Sequence, residues 1–308
     1  MTLCPTSLAD LSRQLADCHA AKRPVVAVDL AALVAIRDYT PDDMTVTAEG
    51  GLTLAALQAK LAIRGQWLPI DPPFPERVTV RELLAKNYFG PRRCAFGPIR
   101  EHLIGLEVVL ADGRVTHSGG KVVKNVAGYD LLKLFVGAHD SLGIITAATF
   151  KLRPLPEQEI TLSATYANLA NAWSAVETIL TSPVMPVILD LHNLEADGTF
   201  TVRLGLAGTR EEVKWQLAHT GDLKSVSTSN SEPNFWMSNV TVHTDSVLPT
   251  RLPQALTALG SVPFIARAAN GIIHHQGPPR LKSVEPLALS QRLKNTFDPH
   301  HILPEAPL

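Results

Sequence analysis

Glycines, lysines and polar residues crowd into GGKVVKNVAGYDLLKLFVGAHDSLGIITAATFKLRP, residues 119–154. Gly119 and Gly120 allow the backbone to turn tightly or to approach a ligand closely. Lys121 and Lys124 flank an apolar Val-Val pair, and Asn125, Gly128, Tyr129 and Asp130 follow. Gly137 and Gly143 bracket a polar turn, AHDS, that runs into a β-branched, aromatic stretch with the composition of a buried strand. Backbone-rich turns with fixed lysines suit a site for an anionic ligand. The same residues also suit a glycine-rich connector between two strands, and composition leaves both readings open.

Other candidates for chemistry are sparse. Arg92 and Arg93 form a pair that suits an anionic substrate, a partner or a salt-bridged turn. His274-His275 and His300-His301 are adjacent pairs. Neighbours on a strand point to opposite faces, so neither pair is arranged to ligate one metal. No nucleophile–base constellation stands out, and the catalytic residues stay unassigned. Cys4, Cys18 and Cys94 are scattered. They suit a reducing compartment and are too few for a four-thiolate iron–sulfur cluster, so electrons passed onward would need another chain to receive them.

The elements that must position these residues follow from pattern. In 6–21, Leu8, Leu11 and Leu15 mark an amphipathic helix with Thr6 or Ser7 as its cap. Val25–Val28 and 44–48 read as strands, and 52–65 reads as a helix ending at Gly65. LEVVL, a turn at Ala111-Asp112-Gly113, and RVTHS form a hairpin. Beyond Pro154 the order becomes strand, helix, strand, strand, helix, the last capped by Thr209 with Glu211 and Glu212 behind it. Residues 225–237 read as a polar loop, 239–249 as a strand and 263–275 as a hairpin. This predicts an α+β chain of two domains, 1–156 and 157–308. A chain of 308 residues, 45% hydrophobic and 19% charged, has the apolar content for two such cores. The net charge of −1 gives no field for nucleic acid or a membrane surface. No apolar run approaches a transmembrane span, and the N-terminus lacks a secretory pattern. The expectation is a cytoplasmic protein, with attachment to the inner membrane through partners as the alternative.

Residues 119–156 resemble the pattern GGxVVKNVAGYDLxKLxxGSxGTLG of the FAD-binding PCMH-type domain of the vanillyl-alcohol-oxidase superfamily. Within it the chain is most similar to the GlcE family of glycolate oxidase components. The resemblance extends through 38–74 and 90–120 and returns at 293–305. It implies a PCMH-type FAD-binding fold with a ferredoxin-like α/β cap and FAD as cofactor. It also implies partnership with a catalytic flavoprotein subunit and an iron–sulfur subunit, in a complex that oxidises a 2-hydroxy acid such as glycolate. The positions it assigns to the cofactor are Pro72, Pro73, Thr79, Val80, Asn87, Gly90, Phe96, Gly97, Gly137, Leu142, Gly143, Ile144 and Ile145. It makes Tyr129 and Asp130 structural members of their motif.

The chain departs from the family where the cofactor would be held. The glycine-rich loop R-G-x-G-[ST], which wraps the flavin's pyrophosphate in the family, has no counterpart between Ala20 and Asp29. The glycines of A-T-x-G-G are Arg81 and Glu82, and GSxGTLG reads GAHDSLG, with Ala138 and Asp140 in place of serine and glycine. Arg81 offers a phosphate partner, and Glu82 is expected to repel one. Hydrogen bonds to a charged group contribute about 1.5–3 kcal/mol each, so three or four lost bonds forfeit on the order of 5–10 kcal/mol. That is about 4 to 7 decades of affinity. The sequence therefore supports an FAD-linked oxidoreductase subunit with a degraded site, or a flavin-free structural subunit of the same complex.

Overall fold

Runs rich in Val, Ile and Thr build an antiparallel five-stranded sheet. Its order is Ile36–Thr40, Thr45–Glu49, Ile144–Lys151, Leu103–Val109, Val115–Gly119. The central strand, Ile144–Lys151, is buried along most of its length, as its unbroken apolar composition requires. The computed structural model describes residues 1–120, 132–195, 197–221, 223, 225–226, 232–279 and 287–306. They divide into two units. The first comprises 1–89, 98–155 and 283–308, and the second 90–97 and 156–282.

In the first unit, Leu54, Leu57 and Leu61 of the helix Leu54–Ala62 join Val46, Val108, Ile145 and Phe150 of the sheet in one core. The N-terminal helix Leu8–Ala20 is capped by Ser7, whose hydroxyl accepts from the Asp10 amide at 3.1 Å. It buries Leu11, Leu15 and Cys18 in a second cluster that includes Ile302 and Leu303 of the chain's last segment. Thr2–Leu3 and Ala27–Val28 pair in parallel beside it.

In the second unit, Gln158–Tyr166, the helix Leu169–Thr181, Ile188–His192, Phe200–Gly208, the helix Arg210–Leu217 and Ser225–Val226 follow one another. Their strands lie in the order Ser225–Val226, Gln158–Tyr166, Phe200–Gly208, Ile188–His192, the ferredoxin-like arrangement. Phe264–Arg267, Ile272–His275 and His243–Ser246 extend the sheet to seven antiparallel strands. One face carries Leu189, Leu191, Val202, Leu204 and Ala266 and packs on the helices through Val176, Ile179, Val213 and Leu256. The other face carries Asp190, His192, Arg203, Arg267 and His274, by the period-2 alternation of strands. The stretch 225–237, expected as loop, holds the strand Ser225–Val226 and the helix Glu232–Met237. No helix among the described residues is long and apolar enough to cross a membrane.

Candidate functional site

Thr79 caps a short helix, Val80–Ala85. Its hydroxyl accepts from the Glu82 amide at 3.2 Å, and Glu82 Oε2 accepts from the Thr79 amide at 3.3 Å, a reciprocal capping box. Lys86 Nζ lies 3.1 Å from Glu82 Oε1. Burial works to raise the Glu82 carboxyl, but the Lys86 ammonium and the Thr79 amide outweigh it and hold the carboxyl below its usual range. The Glu82 carboxylate, expected to repel a dianion, is turned back onto its own helix, where Lys86 offsets part of its charge. The signal, T-x-x-E, stands at 79–82 in plain view.

Against the end of this helix lies the turn at 137–143. The Gly137 amide donates to Leu84 O at 2.9 Å and the His139 amide to Ala85 O at 2.8 Å, satisfying carbonyls that a helix end leaves open. The Ala138 and Ser141 amides are used within the turn, on Phe135 O and Ala138 O. Gly137 has φ +81°, and His139 and Asp140 share this left-handed conformation at +52° and +62° without being glycine. Arg81 Nη1 lies 3.3 Å from Asp140 Oδ2, with the side chains 16% and 19% exposed. Asp140 Oδ1 is buried and has no hydrogen-bond partner among the described residues. Burial raises the Asp140 carboxyl above its usual range, against the charges of Arg81, Lys86 and His139.

The cofactor positions read from the sequence fall into four settings. Thr79, Val80, Asn87 and Gly137 gather around the short helix: Thr79 caps it, Val80 is in the core, and a Cβ on Gly137 would touch Asn87 Cβ at 3.5 Å. Leu142, Ile144 and Ile145 are buried apolar side chains, and a Cβ on Gly143 would meet Val108 Cγ1 at 2.6 Å, so close packing accounts for that glycine. Pro72 is buried and Pro73 half-buried in an extended segment of the first unit. Gly90, Phe96 and Gly97 belong to the second unit. Lys121, Lys124, Asn125, Gly128, Tyr129 and Asp130 lie outside the described residues.

The last helix, Leu287–Phe297, supplies a buried cation beside the same turn. Lys294 Nζ donates to Ser141 O at 3.1 Å, Leu303 O at 2.9 Å and Pro304 O at 3.1 Å, and lies 2.8 Å from Asp298 Oδ2. A cavity of about 230 Å³ next to it is lined by Gly137, Ala138, Ser141, Leu142 and Lys294.

The polar face of the second unit's sheet holds a buried charge cluster that no motif in the chain singles out. Arg267 is 1% exposed and lies 2.7 Å from Asp190 Oδ2. It also pairs with Glu232, which Arg203 approaches at 3.6 Å. Burial pushes Asp190 up to about 6 despite Arg267. Burial opposes ionisation of Glu232 too, but the Arg267 guanidinium prevails and holds it at about 2. Burial and the Arg203 charge bring His192 down to about 4. Burial and Arg267 bring His274 to about 3, with Thr244 Oγ1 2.9 Å from its Nδ1. Trp236 packs edge-on against His274. Arg92 makes a salt bridge with Glu159 at 2.6 Å, so of its open readings the structure places it in an ion pair. Among the described residues no His, Cys, Asp and Glu group is arranged to hold a metal.

This architecture is an α+β flavoprotein fold of the PCMH type, with a ferredoxin-like second unit. Residues 15–119 match the FAD binding domain family, a PCMH-type domain of the vanillyl-alcohol-oxidase superfamily that takes FAD. It is 37% identical over 155 residues to the glycolate oxidase subunit GlcD of Bacillus subtilis, covering 50% of this chain and 33% of that protein. Against the glycolate oxidase subunit GlcE of Escherichia coli it is 37% identical over 128 residues, 41% of this chain and 37% of that one. A probable mitochondrial D-lactate dehydrogenase of Danio rerio is 35% identical over 150 residues, 48% of this chain and 30% of that one. The chain spans about a third of the length of these curated relatives. A solved alkyldihydroxyacetonephosphate synthase superposes with a TM-score of 0.77 at 16% identity, covering 100% of this chain and 76% of that one, a likeness of fold. The matched part of the chain is similar to FAD-linked oxidoreductases of the glycolate oxidase and D-lactate dehydrogenase type.

The residues at the turn do not fit the diphosphate of FAD in the way glycine-rich turns hold one. Four amides of the turn are committed to carbonyls, and the guanidinium beside them already faces a carboxylate. The cavity of about 230 Å³ is also smaller than the roughly 300–1,000 Å³ of small-molecule sites.

Proposed function

We propose that this chain works as a GlcE-type component of a glycolate-oxidase-like complex that oxidises a 2-hydroxy acid such as glycolate. Its partners would be a catalytic flavoprotein subunit and an iron–sulfur subunit, and its setting the cytoplasm or, through those partners, the inner membrane face. The observation that carries the reading is the similarity of up to half of its length to two glycolate oxidase subunits. Three cysteines are too few for a four-thiolate cluster, which leaves onward electron transfer to another chain. In the first reading the subunit carries FAD, the cofactor of its family. A second reading, a flavin-free structural subunit of the same complex, is favoured by the Arg81–Asp140 pair at the turn.

The test is to purify the tagged chain from its own host and assay glycolate-dependent dye reduction, iron and flavin in what co-purifies. Activity and iron that travel with the chain, and disappear on its deletion, support the complex. A chain recovered alone, with glycolate oxidation unchanged by its deletion, sinks the proposal. Flavin retained by the isolated chain at about one per molecule would select the first reading over the second.

A further inference from the structure

The geometry points to a closed anion site: we propose that Arg81 anchors a site of phosphate-binding chemistry which Asp140 keeps filled from within. The two positions lie far apart in sequence, yet their charged ends meet at 3.3 Å. A guanidinium recognises carboxylate and phosphate through the same fork of donors, so either anion can be its partner. The groups whose charges favour the ionised Asp140 are Arg81, Lys86 and His139, and Glu82 opposes it. Glu82 is itself engaged by Thr79 and Lys86.

Three observations mark the carboxylate as an occupant. Its second oxygen, Oδ1, is buried without a partner among the described residues, so they satisfy only part of it. Asp140 sits at φ +62°, beside His139 at +52°, a backbone course that favours glycine. The course is held in place because the Gly137 and His139 amides cap the helix Val80–Ala85. A carboxylate fixed on such a turn competes at high effective concentration with any free anion. The disagreement between an FAD-family scaffold and a turn that does not fit the diphosphate then has a local origin, at Asp140. This holds whether or not the chain works in a complex.

The experiment titrates inorganic pyrophosphate, by calorimetry, and FAD, by fluorescence quenching and retention through desalting, into the full chain. The variants are Asp140→Gly, Asp140→Asn, Arg81→Gln and the double variant Arg81→Gln with Asp140→Gly, each checked for folding by circular dichroism. The wild type is expected to bind pyrophosphate weakly and to lose FAD on desalting. Asp140→Gly and Asp140→Asn should tighten pyrophosphate binding by about tenfold or more, and the added Arg81→Gln should abolish the gain. Asp140→Asn keeps the side-chain shape and reads the charge alone should the glycine variant misfold. A gain for pyrophosphate without one for FAD supports the anion site and shows it too closed for the dinucleotide. Folded Asp140 variants with no gain, a gain that survives without Arg81, or a wild type that retains about one FAD per chain would each overturn the proposal.

Discussion

Lys294 Nζ and Asp298 Oδ2 stand 2.8 Å apart in the interior of the first unit, with the Asp298 side chain fully buried. Asp298 also accepts from the amides of Ile302, at 3.0 Å, and Leu303, at 2.8 Å. Lys294 reaches across to Ser141 O. The pair thus knots the last segment onto the turn that Arg81 also touches. Removing one partner of a buried pair leaves an uncompensated charge, which costs about 3–5 kcal/mol. Lys294→Met is expected to lower the unfolding free energy by that amount in urea titrations, and a loss under about 1 kcal/mol would contradict the arrangement.

The capping box makes a smaller, local prediction. Thr79→Ala removes the acceptor for the Glu82 amide and should cost about 1 kcal/mol, the usual effect of a lost N-cap. Thermal melting of Thr79→Ala and Thr79→Ser separates the hydroxyl from the methyl group. Serine should restore most of the loss, and an alanine variant as stable as wild type would show that the box contributes nothing.

The second unit should weaken in acid. His192 at about 4 and His274 at about 3 both lie below the free value, so each is held neutral by the fold. Their contributions are complete above pH 6.5 and are lost as pH falls towards those values. Asp190, raised to about 6, works the other way: its contribution is complete below its free value and fades as pH rises through 6. Glu232, held at about 2, adds to the loss only as pH falls through its free value of 4.5. Two histidines against one aspartate leave a net loss on the order of 3 kcal/mol between pH 7 and 4.5. Urea unfolding across that range checks the slope. His192→Leu should make the pH dependence shallower, and an unchanged slope would remove His192 from the account.

Thiol chemistry offers a direct check of burial. The Cys94 thiol is pushed up to about 12, first by burial and then by the Asp190 charge, and it lies 3.4 Å from Pro186 O. Cys4 is exposed, whereas Cys18 is buried. At pH 8 a disulfide reagent should titrate one thiol in the native protein and three after denaturation. Rapid native labelling of Cys94, located by peptide mapping, would contradict its placement.

The local grammar of this chain carried far. The strand at Ile144–Lys151, the helix Arg210–Leu217 with its Thr209 cap, and the ferredoxin-like order all announce themselves through periodicity and capping residues. The helix at Val80–Ala85 announces itself equally, through the same T-x-x-E letters, yet similarity to a cofactor motif with two glycines pointed elsewhere. The short helix Glu232–Met237 has too few turns to show a period, and its Glu232 is fixed by Arg267 from a distant strand. Arg81 and Asp140, like Arg267 and Asp190, read singly as ordinary charged residues. Only the tertiary pairing makes them a unit, and spacing along the chain carries no trace of it.

The first unit is interrupted: its chain leaves at Leu155 and resumes at Ser283. Its interior lysine, and the carboxylate that answers it, therefore leave the ribosome only after the whole second unit has been made. The turn at Ala138–Ser141 must wait through that synthesis with the Ser141 carbonyl unclaimed. A chain stalled within the second unit would hold an unfinished core, exposed to proteases and chaperones for longer than its size alone implies. Of the two units, the one begun first is thus the one whose folding finishes last.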